Sequence, residues 1–287
     1  MSASICHQLP IPKTPVLYSI YPFAMTTDLS GKIYVVTGGF SGIGLAVVKN
    51  LLAQGAAVHA LDLGDKCPEI TTEDSHQRLR TYTGVDVSSR ASVSNTFKSI
   101  FVKSPTIDGI VNNAGIAPLP ESADPIESDE RFSCILDVNM KGTWNTATEY
   151  FRHILDDPPS SSSNQESGLP EGIGSVVNVA STGSMHAFPG MTAYCTSKHA
   201  VLGMTRCWAK EFGPRGVRVN CVAPGGTDTP LSGPLDESIR KAYTSLVPLG
   251  RLARPEEMAE VIVFLLSARA SFINGQMVPV EGGIYSF

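Results

Sequence analysis

The stretch "TAYCTSKHA" (192–200) sets a tyrosine and a lysine four positions apart, Tyr194 and Lys198. On a helix that spacing stacks two side chains on one face. At about 100° per residue, Tyr194, Lys198, Val201, Thr205, Trp208 and Phe212 share one stripe. The stripe is largely apolar, so it turns inward and carries a lysine with it. An ammonium in such a place needs a partner or a task. A free phenol has a pKa of about 10, and a nearby ammonium favours the phenolate and lowers that value. The pair therefore reads as an acid–base couple that moves a hydroxyl proton. A solvated polar turn is the competing reading.

A second stretch, "TGGFSGIG" (37–44), joins an apolar strand, "KIYVVT" (32–37), to an amphipathic helix, "GLAVVKNLLAQG" (44–55). Gly38 lets the chain turn sharply. Gly42 and Gly44 remove side chains where a ligand must approach the backbone. The helix that starts there offers free N–H groups and a positive dipole end, which suit a pyrophosphate. The spacing departs from GxGxxG, and a glycine-rich turn without a ligand is the alternative. Asp62 ends the next strand, "AAVHALD" (56–62). A carboxylate there accepts both hydroxyls of an adenosine ribose and repels a 2′-phosphate. Phe40, in the glycine-rich loop, and Leu63, which follows Asp62, supply no cation for such a phosphate. NAD is favoured over NADP on these grounds.

The elements that must position these residues alternate along the chain. Strands are expected near 80–86, 107–113, 174–180, 217–223 and 276–280. Helices are expected near 89–102, 128–155, 192–212 and 255–267. Strand–helix alternation of this kind predicts a single-domain α/β fold: a Rossmann-type, doubly wound parallel sheet of about seven strands with helices on both faces. Residues 28–287 form that domain. Residues 1–27, with Pro10, Pro12, Pro15 and Pro22, read as a flexible arm. "DDPPSSSSNQESGLPEG" (156–172) reads as a surface loop inserted away from the carboxyl ends of the strands, where ligands bind.

Composition narrows the function classes. The chain has 287 residues, 42% of them hydrophobic, and a net charge of −5. A mildly acidic chain without basic blocks is a poor nucleic-acid binder. The six cysteines form no CxxC and no zinc-finger spacing, so no metal site is expected and reduced thiols are. Cys195 reads as a packing residue. No 18-residue apolar run and no secretory pattern is seen, so no membrane association and a cytoplasmic location are expected. His59, His153 and His199 fall away from the expected cleft, and His186 reads as a loop histidine facing water.

With these motifs in view, the chain resembles the short-chain dehydrogenase/reductase family, in its ordinary-length branch, over roughly residues 29–284. The resemblance rests on "TGGFSGIG", "NNAG" (112–115), Asn139 in "DVNMKG", Ser181 in "VVNVAS", "YCTSK" (194–198), "APGGTDT" (223–229), "GRLARPEE" (250–257) and "VEGG" (280–283). It implies that Gly38, Ser41, Ile43 and Gly44 line the pyrophosphate and ribose, and that Asp62 holds the adenosine ribose. It implies that Asp86 and Val87 meet the adenine, and that Asn113, Ala114 and Gly115 form a wall beneath the cofactor. Thr227 would face the nicotinamide amide and Thr229 the phosphates. Asn139, Ser181, Tyr194 and Lys198 would be the catalytic four. Lys198 would also hold the nicotinamide ribose, Ser181 the substrate oxygen, and Asn139 a water that relays protons to Lys198.

Asn139 is expected on one helix face with Phe132, Thr143 and Tyr150, and a plain buried amide tying that helix down is the other reading. Two departures stand out. Glu281 occupies a place where the family more often has aspartate, and Gly226 makes "APGGTDT" looser than usual.

The reaction implied is NAD(H)-dependent hydride transfer to or from a mostly apolar secondary alcohol or ketone. Three segments should border that small molecule: 116–120, 182–191 and 229–246. They carry Leu119, Met185, Phe188, Met191, Leu231, Leu235 and Tyr243, and the last segment reads as a substrate lid. Two rivals remain: a dinucleotide-sensing regulator without turnover, and a lyase or epimerase on the same scaffold. The family's habits imply a homodimer or homotetramer paired through helices near 130–155 and 192–212.

Overall fold

The structure, a computed structural model, describes residues 29–70, 75–117, 126–156, 172–233 and 237–285. The arm at 1–27, nearly all of the loop at 156–172, and Leu119 and Leu235 lie outside those residues.

In chain order the elements are β1 (Ile33–Thr37), α1 (Gly42–Ala53), β2 (Ala57–Leu61), α2 (Ser75–Arg78), β3 (Leu79–Tyr82), α3 (Arg90–Lys103), β4 (Gly109–Asn112), α4 (Asp129–Leu136) and α5 (Gly142–Asp156). After them come β5 (Gly174–Val179), α6 (Thr192–Phe212), β6 (Val217–Pro224), α7 (Glu237–Leu246), α8 (Pro255–Leu266) and β7 (Met277–Val280). The seven strands form one sheet in the order β3-β2-β1-β4-β5-β6-β7, every pair parallel.

The apolar runs explain the layers. A parallel sheet covered on both faces needs strands that are buried on both sides. In β1, Val35 and Val36 point to opposite faces and are both fully buried. Val36 packs with the apolar stripes of α1 and α8. Val35 packs with those of α3, α5 and α6. The chain runs outward from β1 through β2 to β3, then returns to β4 on β1's other side. A crevice opens at that reversal, beyond the carboxyl ends of β1 and β4.

Three elements differ from the sequence reading. The helix expected over 128–155 is two helices, α4 and α5, joined by a π-helical turn at Asp137–Lys141. The Gly142 N–H bonds Asp137 O, five residues back. The extra residue rotates all of α5 by about one position, or 100°. Asn139, Thr143 and Tyr150 are buried, whereas Phe132, before the turn, is 39% exposed. β3 stops at Tyr82 rather than near 86. Gly84 takes φ +64°, and the Val85 N–H bonds Asp62 O at 2.8 Å, which swings Asp86 out of the sheet toward the crevice. The lid segment contains a regular helix, α7, because its glycine and prolines all precede Glu237.

Behind the crevice a buried polar thread crosses the sheet. Thr146 Oγ1 donates to Asn112 Oδ1 at 2.6 Å, and Asn112 Nδ2 donates to Asn178 Oδ1 at 2.8 Å. Asn178 Nδ2 donates to Thr205 Oγ1 at 2.9 Å, and Thr205 Oγ1 to Val201 O at 2.8 Å. Asn112 and Asn178 are direct partners across β4 and β5.

Candidate active site

The turn after β1 is built around missing side chains. Gly38 has φ +62°, and a Cβ on it would stand 2.9 Å from Ala114 Cα and from Asn113 Nδ2. The strand-end residue Thr37, which sequence reasoning passed over, anchors the opposite side. Its Oγ1 accepts the Asn113 and Ala114 N–H groups at 3.0 and 3.1 Å. Asn113 Nδ2 donates to Thr37 O and Gly38 O, each at 3.1 Å. Asn113 thus fastens the two strand ends together.

The crevice has a volume of about 420 Å³. Its lining includes Gly38, Ser41 and Ile43 after β1, Asp62, Asp86 and Val87 after β2 and β3, and Asn113, Ala114, Gly115 and Thr229. Two residues expected there stand apart. A Cβ on Gly44 would lie 2.0 Å from Gly38 O, so this glycine lets the first turn of α1 pack on the loop. Thr227 is buried and does not line this crevice; its Oγ1 donates to Gly225 O at 3.1 Å.

The crevice fits a dinucleotide. The N-cap residue Ser41 makes no side-chain cap, and the first turn of α1 has no acidic residue, so its N–H groups and dipole face the space. The Asp62 carboxylate is held by two backbone N–H groups. Its Oδ2 accepts the Phe40 N–H at 3.0 Å and its Oδ1 the Gly64 N–H at 2.9 Å. Asp86 Oδ1 accepts the N–H and hydroxyl of Ser88 at 2.9 and 2.6 Å.

Gly115 links this crevice to the tyrosine–lysine pair. A Cβ there would stand 3.1 Å from Asn139 Oδ1 and 3.5 Å from Lys198 Nζ. Lys198 is only 5% exposed; its ammonium donates to Val179 O at 2.9 Å and lies 5.7 Å from the Tyr194 ring centre. Burial lowers its pKa to about 8. Ser181, at the end of β5, sits beside Tyr194: one Cβ position on Gly183 is 3.4 Å from both Ser181 Oγ and Tyr194 Cε1.

The phenol differs from the expectation. Burial pushes its pKa up, and the hydrogen bond with Ser181 is what pulls it down. The Lys198 ammonium is turned toward Val179 O.

Asn139 is 1% exposed, and its amide is fully engaged. Oδ1 accepts the Ile116 N–H at 2.8 Å, while Nδ2 donates to Ile116 O at 2.9 Å and to Ser197 Oγ at 3.0 Å. The amide ties three segments together. Ser197, which sequence reasoning missed, passes the tether on to Tyr194 O at 2.7 Å.

The loop beyond Ser181 carries a further correction. His186 does not face water; its ring stacks on Tyr285 with centres 3.7 Å apart. His59 is buried between Tyr82 OH and Ser104 Oγ, His153 stacks on Phe101, and His199 bonds Cys195 O. Gly226 is not loose either. The Tyr243 ring fills its missing side-chain volume, 2.3 Å from a would-be Cβ, and Tyr243 OH accepts the Gly226 N–H at 2.6 Å. Among the described residues no group of three His, Cys, Asp or Glu could hold a metal, and no helix is long and apolar enough to cross a membrane.

Comparison with known proteins agrees with this geometry. A family model described as enoyl-(acyl carrier protein) reductase matches residues 38–285. A 3-oxoacyl-[acyl-carrier-protein] reductase FabG of Thermotoga maritima is 33% identical over 259 residues, covering 89% of this chain and 98% of that protein. A 2,5-dichloro-2,5-cyclohexadiene-1,4-diol dehydrogenase of Sphingobium indicum is 34% identical, covering 90% and 98%. The crystal structure of a 3-ketoacyl-(acyl-carrier-protein) reductase from Brucella melitensis complexed with NADH is similar with a TM-score of 0.77 at 30% identity, covering 89% and 99%. Sheet order, crevice and these likenesses lead to one conclusion: the chain belongs to the short-chain dehydrogenase/reductase family of nicotinamide-dependent oxidoreductases.

Proposed function

We propose that this protein transfers hydride between NAD(H) and a mostly apolar secondary alcohol or ketone, with Tyr194 as the general acid and base. One observation carries the reading: a buried ammonium, Lys198, stands beside a phenol and a strand-end hydroxyl at the edge of a crevice whose far end holds a fixed carboxylate. A nicotinamide, when bound, supplies the hydride chemistry. The chain's residues do the rest. Ser181 holds the substrate oxygen against Tyr194 by hydrogen bonding. In oxidation Tyr194 takes the hydroxyl proton; in reduction it donates one. Lys198 holds ribose hydroxyls and supplies positive charge near the phenol. Asn139 fixes Ile116 and the first turns of α6, and so sets where Tyr194 and Lys198 stand.

The NAD preference rests on Asp62. Its negative charge, oriented by Phe40 and Gly64 N–H groups, opposes a 2′-phosphate, and neither Phe40 nor Leu63 offers a counter-charge. The substrate class rests on Met185, Phe188, Met191, Leu231 and Tyr243, with α7 as the lid. The relatives' names, which speak of oxoacyl groups and a cyclic diol, support a CH–OH/C=O centre. A cytoplasmic homodimer or homotetramer completes the proposal.

Tyr194→Phe tests it. We expect kcat to fall at least 100-fold against a panel of alcohols and ketones, while NADH still binds with little change. A variant retaining more than a tenth of wild-type kcat removes the acid–base role. A wild type that binds NADH without turning over any of the panel points to a sensor instead.

A further inference from the structure

Two residues to which the proposed chemistry gives no role, His186 and Tyr285, meet beside it. After β7 the chain turns back at Gly282 and Gly283, with φ of +70° and +86°. Glu281 closes the turn, its Oε2 accepting the Tyr285 N–H at 3.0 Å. The turn is seated: a Cβ on Gly282 would stand 2.6 Å from Val247 Cγ1, just past α7. It delivers the Tyr285 ring onto His186, with ring centres 3.7 Å apart and planes within 15°.

His186 lies in the loop between Ser181 and Tyr194, and its N–H is held by Thr182 O at 3.0 Å. The same loop brings Phe188 to the phenol: a Cβ on Gly183 would stand 3.2 Å from Phe188 Cε2 and 3.4 Å from Tyr194 Cε1. The Tyr285 phenol is pushed up by burial first, then by Tyr243 of α7, by Glu281, and by Cys195 next to Tyr194. Tyr285 thus stacks on the loop that joins Ser181 to Tyr194, at the end of a turn seated beside Val247, just past α7. Stacked rings present a flat apolar face that matches another ring better than it matches a short alkyl chain.

We propose that Tyr285, held flat on His186 by the Glu281 turn, is a specificity-determining residue: the paired rings form an aromatic plate in the substrate pocket wall that favours a ring-bearing alcohol or ketone over a small acyclic one. This rests on the oxidoreductase site proposed above. The test is calorimetric titration of 1-tetralone and of 2-butanone into the full-length protein saturated with NAD+, an oxidised-cofactor and ketone pair that does not turn over.

The wild type should bind 1-tetralone at least tenfold more tightly than 2-butanone. Tyr285→Ala should weaken 1-tetralone at least tenfold and shift 2-butanone less than twofold. Tyr285→Phe should restore the tight binding, which a merely structural tail would not link to ring shape. Glu281→Ala should move affinities in the same direction as Tyr285→Ala. NAD+ affinity measured on each variant reports the fold, and if Tyr285→Ala loses it, His186→Ala is read in its place with the same expected loss. Equal wild-type affinities for the two ketones overturn the proposal, as does 1-tetralone binding unchanged within twofold in the alanine variant. The titration needs no proton transfer, so a failed Tyr194 assignment, seen in Tyr194→Phe kinetics, stays distinguishable.

Discussion

Tyr194 and Lys198 each carry a cost of burial, and the two costs act in opposite directions on their proton affinities. For Lys198 the consequence for stability has a definite sign. Its folded pKa, about 8, lies below its ordinary value of 10.5. Below pH 8 folded and unfolded chains both hold the proton, and the penalty stands in full. Between pH 8 and 10.5 the unfolded chain binds more protons, so stability rises with pH through that window. Lys198→Met removes the penalty and also the bond to Val179 O. We expect the variant to be inactive yet about 1–3 kcal/mol more stable than wild type at pH 7, with the advantage shrinking by pH 10. Denaturant melts at the two pH values check this, and an advantage that grows with pH contradicts it. Asp62 makes a second residue-scale prediction. Asp62→Ala removes one of the two carboxylates that line the crevice and leaves the Phe40 and Gly64 N–H groups without their acceptor. The ratio of kcat/KM with NAD to that with NADP should drop at least tenfold, and an unchanged ratio rejects the proposed basis of cofactor choice.

At the scale of elements, α7 is attached to the end of β6 by a shape match. The Gly226 position has no room for a methyl group because the Tyr243 ring occupies it. Arg240, one turn earlier on α7, reaches Asp228 at 3.2 Å on the exposed side. Gly226→Ala should expel the ring, cost about 1–3 kcal/mol and speed proteolytic cleavage within α7. Adding Tyr243→Ala should recover part of that loss, and a strictly additive double variant means the two residues do not interact. These elements also show what the sequence makes legible. Runs such as "IYVVT" and "GSVVNV" are apolar on both faces and flanked by helical patterns, so the parallel sheet and its crevice follow from local pattern. The stripe from Tyr194 through Trp208 likewise reveals a buried lysine. The π-helical turn at Asp137–Lys141 leaves no such mark, because one extra residue changes the phase without changing the composition. The Tyr243–Gly226 and Tyr285–His186 contacts join residues far apart in sequence, and no spacing rule reaches across that distance. The direction of the Lys198 ammonium is equally invisible, since it depends on where Val179 O falls in space.

The whole molecule is organised so that one end of the sheet holds every proposed site residue, and its outer helices keep apolar side chains uncovered. Trp144 on α5, its ring tilted against that of Trp208, is 47% exposed, and Phe132 on α4 is also open to solvent. If the chain pairs through these helices, Trp144→Glu should shift sedimentation from dimer or tetramer toward monomer while the crevice still binds NADH; an unaltered sedimentation profile places the contact elsewhere. The polar thread Thr146–Asn112–Asn178–Thr205 bears on how such a molecule comes together. It crosses from α5 to α6 through the two central strands, and each of its groups is shielded from water. A slip of one place between parallel strands turns every side chain to the opposite face, so groups that face each other in register lose their partners. Here a slip by one position would leave both asparagine amides with unmatched donors and acceptors, at about 1–3 kcal/mol for each orphaned group. The thread therefore favours one alignment of β4 on β5, the one in which Asn112 faces Asn178 and the chain leaving β5 sets Ser181 alongside Tyr194.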